Sequence, residues 1–360
     1  MQNKLVHRAT AIGSLPHHSI ADAMGLIKEN LVNVPHWPQL PRMNPREGMI
    51  RQNISPLVKE GLVTFPEDGM DKPYFCTDDP EWDGLVLSYF EKLLDTGENG
   101  GEASSDVQSM FAFPSDTAEG FYAFLRENWS ATEVDIIKGQ ISGPLVVGLQ
   151  VTSPDGNLAF YDDQLREILV KTLASQARWQ VQQLKAFDRP VLVFIDDPAI
   201  YGYGTSSYVG LGRESITESL YEMVSGIKNE GGLSGVHCCA GVDWSLIFEL
   251  PVDVVDFDAY AYFSSMLVYV DNLVDFLDRG GILAWGIVPT SSDIENEDAQ
   301  TLYSKLQEGI DVLVDYGVNR KQLEEQMMIT PSCGAATLNE AQATKVYNVL
   351  RELEKKISGK

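Results

Sequence analysis

An α/β chain wound into a (β/α)8 TIM barrel is the fold class this sequence predicts, and three observations predict it. From about residue 130 onward short β-rich runs alternate with helical stretches. The runs are apolar along most of their length before a polar or glycine-containing end, the pattern of parallel strands buried on both faces. Hairpin signals of the sandwich kind do not separate them.

Six strands are predicted at 136–143 (IIKGQISG), 191–198 (VLVFIDDP), 233–240 (LSGVHCCA), 253–260 (DVVDFDAY), 282–289 (ILAWGIVP) and 326–333 (QMMITPSC). Between them Leu165, Leu169, Leu173, Ala177, Val181 and Leu184 recur at three and four, marking a helix. A second helix is framed by Ser215, three residues before Glu218, and by Gly231-Gly232 at its end. Two upstream runs, 8–14 (RATAIGS) and 31–37 (LVNVPHW), bring the count to the eight strands of a barrel. Residues 41–130 break the alternation with amphipathic pieces such as LVLSYFEKLLDTG and an acidic, glycine-rich GENGGEASSD. They read as a largely helical insertion after the second strand of a single 1–360 domain, either a lid or docking surface or an inert excursion.

With 44% hydrophobic and 22% charged residues, the chain has the composition of an ordinary globular protein. Its net charge of -25 would repel phosphate backbones and anionic lipid, so neither nucleic acid nor a membrane is an expected partner. Such a field suits cationic small molecules or a basic partner, and serves solubility equally well. The start, MQNKLVHRATAIGSLP, carries no apolar run of signal-peptide length, and no stretch approaches the ~20 apolar residues of a membrane span. A cytoplasmic location is therefore expected. There the four cysteines, Cys76, Cys238, Cys239 and Cys333, stay reduced and point to metal binding or catalysis rather than disulfides.

Polar residues gather where the predicted strands end: Ser14, Asp196, His237, Cys239, Asp258 and Cys333. Barrel enzymes build their sites on that face. His237 and Cys239, two apart, share one face of their strand, while Cys238 points the other way into packing. Cys333 ends the strand that closes the barrel and can reach the same mouth. An imidazole and two thiolates form a soft donor set that suits Zn²⁺, with an oxygen ligand or water completing a tetrahedron. Taken singly, each could be a buried thiol or a satisfied histidine, Cys76 a plain packed thiol, and Asp196 or Asp197 a turn or helix cap.

These residues resemble the catalytic half of cobalamin-independent methionine synthase, within the barrel superfamily that also holds uroporphyrinogen decarboxylase and zinc-dependent corrinoid methyltransferases. AIGSLP is similar to that family's I-G-S-F-P, KGQISGP to K-G-x-x-T-G-P, FIDDPA to I-D-E-P-A, VHCC to its H-x-C zinc pair and TPSCG to N-P-D-C-G, in the family's order. The resemblance implies that His237, Cys239 and Cys333 are zinc ligands, with Asp258 in the place of a family glutamate and Asp256 in reserve. It implies that Ile12, Gly13 and Ser14 contact the carboxylate and backbone of homocysteine and Asp196 its ammonium group, with Asp197 in the position of a family glutamate. Zinc would then deprotonate the substrate thiol, which attacks an activated methyl group.

The resemblance stops on the methyl-donor side. The chain is expected to be a core-only version lacking the family's N-terminal barrel. It offers no R-C-V-R-P-P-like run, and AWGIVPTSSDIE has Thr290, Ser291 and Asp293 where the family carries a catalytic histidine. Folate nitrogen needs an acid to leave, whereas cobalt leaves as a stable reduced species. The expected donor is thus a methyl-corrinoid or a corrinoid protein, and the acidic DDPEWD at 78–83 is a candidate docking surface or a solvated loop. Another thiol acceptor such as coenzyme M would keep the zinc but not need Asp196, and a nonenzymatic zinc barrel is the alternative outside catalysis. Uroporphyrinogen decarboxylation would need cationic groups in place of these acids and cysteines.

Overall fold

The computed structural model describes residues 4–66, 72–94, 110–131 and 133–359. A two-stranded antiparallel ladder, Val63–Thr64 (β1) with Tyr74–Phe75 (β2), lies outside the main sheet. The sheet itself comprises Ile137–Ser142 (β3), Val191–Asp196 (β4), Leu233–Cys238 (β5), Val254–Phe257 (β6), Ile282–Val288 (β7) and Met327–Pro331 (β8). These six strands run parallel in the order β3-β4-β5-β6-β7-β8, and every residue in them is buried. Burial on both faces explains why they read as continuous apolar runs.

Helices connect and cover the strands. Asp163–Leu184 buries Leu165, Leu169, Leu173, Ala177, Val181 and Leu184, the predicted stripe. Arg213–Asn229 is capped by Gly212 rather than Ser215, whose hydroxyl instead donates back to the Gly212 carbonyl from inside the first turn. Val270–Asp278, Ala299–Asp315 and Glu340–Ile357 follow the later strands, the last two opening with capping boxes at Asp298 and Asn339. Among the described residues no helix is long and apolar enough to cross a membrane.

The two upstream runs are not regular strands, a correction to the sequence expectation. Ala9 bridges Ile329 on the β8 edge, His36 bridges Lys138 on the β3 edge, and Ser14 bridges Gln39, each in parallel fashion. Pro35 and Pro38 have no N–H to donate, and Gly13 turns to φ +140, so neither run sustains a ladder. The bridges still hold both runs in place, through Thr10 N to Ile329 O at 3.1 Å and Lys138 N to Pro35 O at 2.9 Å.

The described part of 41–130 is mainly helical, as expected, with short helices at Met49–Asn53 and Ser55–Lys59 and longer ones at Trp82–Leu94 and Glu119–Leu125. The β1–β2 ladder within it carried no clear sequence signal. GENGGEASSD at 97–106 lies outside the described residues.

Candidate metal centre

Parallel register assembles the site. It pairs Ser142 with Asp196, Asp196 with His237, and His237 with Asp256, so one row of polar residues crosses β3 to β6. Cys239 follows directly on β5 and Cys333 lies two residues past β8. One ligand atom each from His237, Cys239 and Cys333 lies within 4.8 Å of the other two. Cys238 faces the opposite way, fully buried in the apolar core, and burial drives its thiol pKa far up.

The three residues fit a thiophilic metal ion. His237 is 2% exposed, and Nε2 has no hydrogen-bond partner. Its Nδ1 lies 3.3 Å from Asp256 Oδ2, at ion-pair distance but without good hydrogen-bond geometry. Asp256 is held in turn by Thr330, whose hydroxyl donates to Oδ1 at 2.8 Å. Burial opposes charge on His237, but Asp256 and Cys333 outweigh it and hold its pKa well above the ordinary value. The arrangement leaves Nε2 as the nitrogen available to a metal, with Asp256 behind it setting the ring.

Asp258 is not part of the group. Its Oδ1 accepts from Ala261 N at 2.7 Å, stabilising the turn after β6, which is why a strand-end carboxylate here is drawn away from the cysteines. Burial raises its pKa to about 6. Asp256, the reserve, serves the imidazole rather than joining the three.

A cavity of about 310 Å³ adjoins the group and is lined by Ile12, Ser14, Asp196, His237, Cys239 and Cys333. Gly13 shapes it from behind: at φ +140, a Cβ there would lie 2.4 Å from Gln140 Cδ. Gly334 does the same beside Ser14, whose Oγ would be 2.1 Å from an added Cβ. Asp196 is 9% exposed and its Oδ1 has no partner. Burial raises its pKa to about 6, against the influence of Lys138 and His237. Lys138 is wholly buried, donates to Ile12 O, and stands 4.6 Å from the centre of the Phe194 ring. Burial draws its pKa down to about 8 although Asp196 and Asp256 act to raise it.

Asp197 has a different task from its neighbour. Its carboxylate accepts from Leu145 N at 2.7 Å, Val146 N at 2.9 Å and Ala199 N at 3.2 Å, fixing the helix start after β3 and its own turn. That is the capping role open to either aspartate from sequence alone. After β7, Thr290 touches Ser332 Oγ at 3.1 Å through both its N–H and its hydroxyl. Of the five histidines, only His237 lines the cavity.

Met49, Gln52 and Asn53 from the insertion, and Gln140 and Ser142 from β3, also line the cavity and were not singled out from sequence. Lys138, Gln140 and Ser142 are polar at every second position of a buried strand, a period that marks one face and was available as a signal. Asn53 has no such signature. No protein-family model matches this chain, and no curated protein matches it.

Proposed function

We propose that this chain is a zinc-dependent methyltransferase that moves a methyl group to the thiol of homocysteine, forming methionine, from a methyl-corrinoid donor. In this reading the sheet and the two bridged runs at its edges make up a (β/α)8 barrel whose mouth carries the site. The observation that carries the proposal is the convergence of His237, Cys239 and Cys333 beside a cavity that also contains Ile12, Ser14 and Asp196.

Zinc held by His237, Cys239 and Cys333 would supply deprotonation of the substrate thiol and keep it a thiolate at neutral pH. The chain's own residues do the positioning. Asp256 and Thr330 hold the imidazole of His237 in one orientation. Asp196 presents a buried carboxylate oxygen to the ammonium group, and the Ile12–Ser14 segment, fastened by Lys138, lies against the rest of the amino acid. Fixing both ends of a small substrate sets the sulfur in line with the incoming methyl.

Transfer forms a carbon–sulfur bond and breaks a carbon–cobalt bond, the electron pair remaining on cobalt. No proton is needed by that leaving group, which accords with Thr290 and Ser332 standing where an acid would serve a folate nitrogen. The test is methionine formation from homocysteine with methylcobalamin and, in parallel, with methyltetrahydrofolate, using Cys333→Ala as control. Turnover with the corrinoid alone, lost in the variant, is expected; turnover with folate would contradict the donor assignment, and none with either would contradict the function.

A further inference from the structure

Three acceptor atoms around the cavity have no donor: Asn53 Oδ1, Gln140 Oε1 and Asp196 Oδ1. Their residues are 2%, 4% and 9% exposed, so water in bulk does not satisfy them. The amide orientations are dictated by their other ends. Asn53 Nδ2 donates to Met49 O at 2.7 Å and to Ser142 Oγ at 3.0 Å, and Gln140 Nε2 donates to Trp37 O at 3.0 Å. Flipping either amide would set oxygen against a carbonyl oxygen, which donates nothing. The free ends are therefore both acceptors.

We infer that Asn53 Oδ1 and Gln140 Oε1 join Asp196 as the recognition set for a primary ammonium group on the thiol substrate, and that these two amides determine its specificity. This rests on the thiol-methylation reading above and adds residues to it. An ammonium group has three N–H donors, matching three acceptors. Neutral amides add acceptors without stacking further negative charge beside Asp196, Asp256 and the cysteines. A thiol bearing an anion at that place would meet oxygen lone pairs only, and a thiol lacking the nitrogen would leave all three buried acceptors unpaired. The substrate class is thus an aminothiol, and sulfonate or simple carboxylate thiols are rejected.

The test is calorimetric titration of the zinc-loaded protein with L-homocysteine and with 4-mercaptobutanoate, which differs only by lacking the amine. The wild type is expected to prefer homocysteine by about 100-fold or more, as sites built to hydrogen-bond a substrate N–H do. Gln140→Met and Asn53→Leu should each cut that preference roughly tenfold through weaker homocysteine binding, with 4-mercaptobutanoate unchanged. Gln140→Glu and Asn53→Asp keep an acceptor and should keep the preference, so they carry the test if the apolar variants do not fold; its loss in them overturns the inference. An intact preference in the apolar variants overturns the role of the amides while leaving the methylation reading in place. Equal binding of both thiols by the wild type overturns ammonium recognition altogether, and binding of neither overturns the methylation reading and this inference with it.

Discussion

Asp256 Oδ2 stands 3.3 Å behind His237 Nδ1, on the adjacent strand and in direct register with it. That relationship makes the carboxylate an orienting partner of the metal-facing imidazole. Asp256→Asn is expected to weaken zinc binding by about 10- to 100-fold, the usual cost of losing such a partner. Competition titration against a chromophoric chelator measures it. Thr330→Val, one contact further out, should have the smaller effect.

Thiol reactivity separates the cysteines. Cys238 is fully buried with its pKa pushed far up, so iodoacetamide should leave it untouched in the folded protein whether or not metal is bound. Cys239 and Cys333 are partly exposed, and metal should protect both. Mass spectrometry of alkylated peptides before and after chelation checks this; equal labelling of Cys239 in both states would count against a metal at these residues.

Gly13→Ala should damage the site more than its one added carbon suggests. The backbone there is at φ +140 and the Cβ would meet Gln140 Cδ at 2.4 Å. A stability loss of about 1–3 kcal/mol is expected from the strain, measured by urea unfolding. Homocysteine affinity should fall with it, since Gln140 must move, while zinc content should hold.

A pH effect is expected away from the metal. His36 is buried, its Nδ1 is 2.9 Å from Trp37 O, and its Nε2 is 2.7 Å from the Tyr347 hydroxyl. Burial, with Lys138 nearby, lowers its pKa to about 3. Between the ordinary value of 6.5 and about 3 the unfolded chain binds a proton the folded chain does not. Stability from this group is therefore full above pH 6.5 and is lost as pH falls, with a slope of about 1.4 kcal/mol per pH unit. His36→Asn should remove that component of the slope in urea titrations at pH 7 and 5, and an unchanged slope would contradict it.

The six sheet strands were legible because full burial writes continuous apolar runs, and His237, Cys239 and Cys333 because strand alternation and strand ends have fixed geometry. Asp196 and Asp197 were legible as a pair but not by role; only the backbone donors of Leu145, Val146 and Ala199 show which one is the cap. Asp258 was misplaced because parity along β6 cannot reveal that the turn amide of Ala261 claims its oxygen. Asn53 was illegible, since it arrives from an insertion whose path no periodicity specifies.

The most direct test of the central claim is X-ray absorption at the zinc edge, without and with L-homocysteine. Two sulfur neighbours and one imidazole, rising to three sulfurs when homocysteine is added, is the result expected of a site that takes a substrate thiol beside Cys239 and Cys333. An unchanged sulfur count at saturating homocysteine would mark a closed structural site and contradict the proposed function.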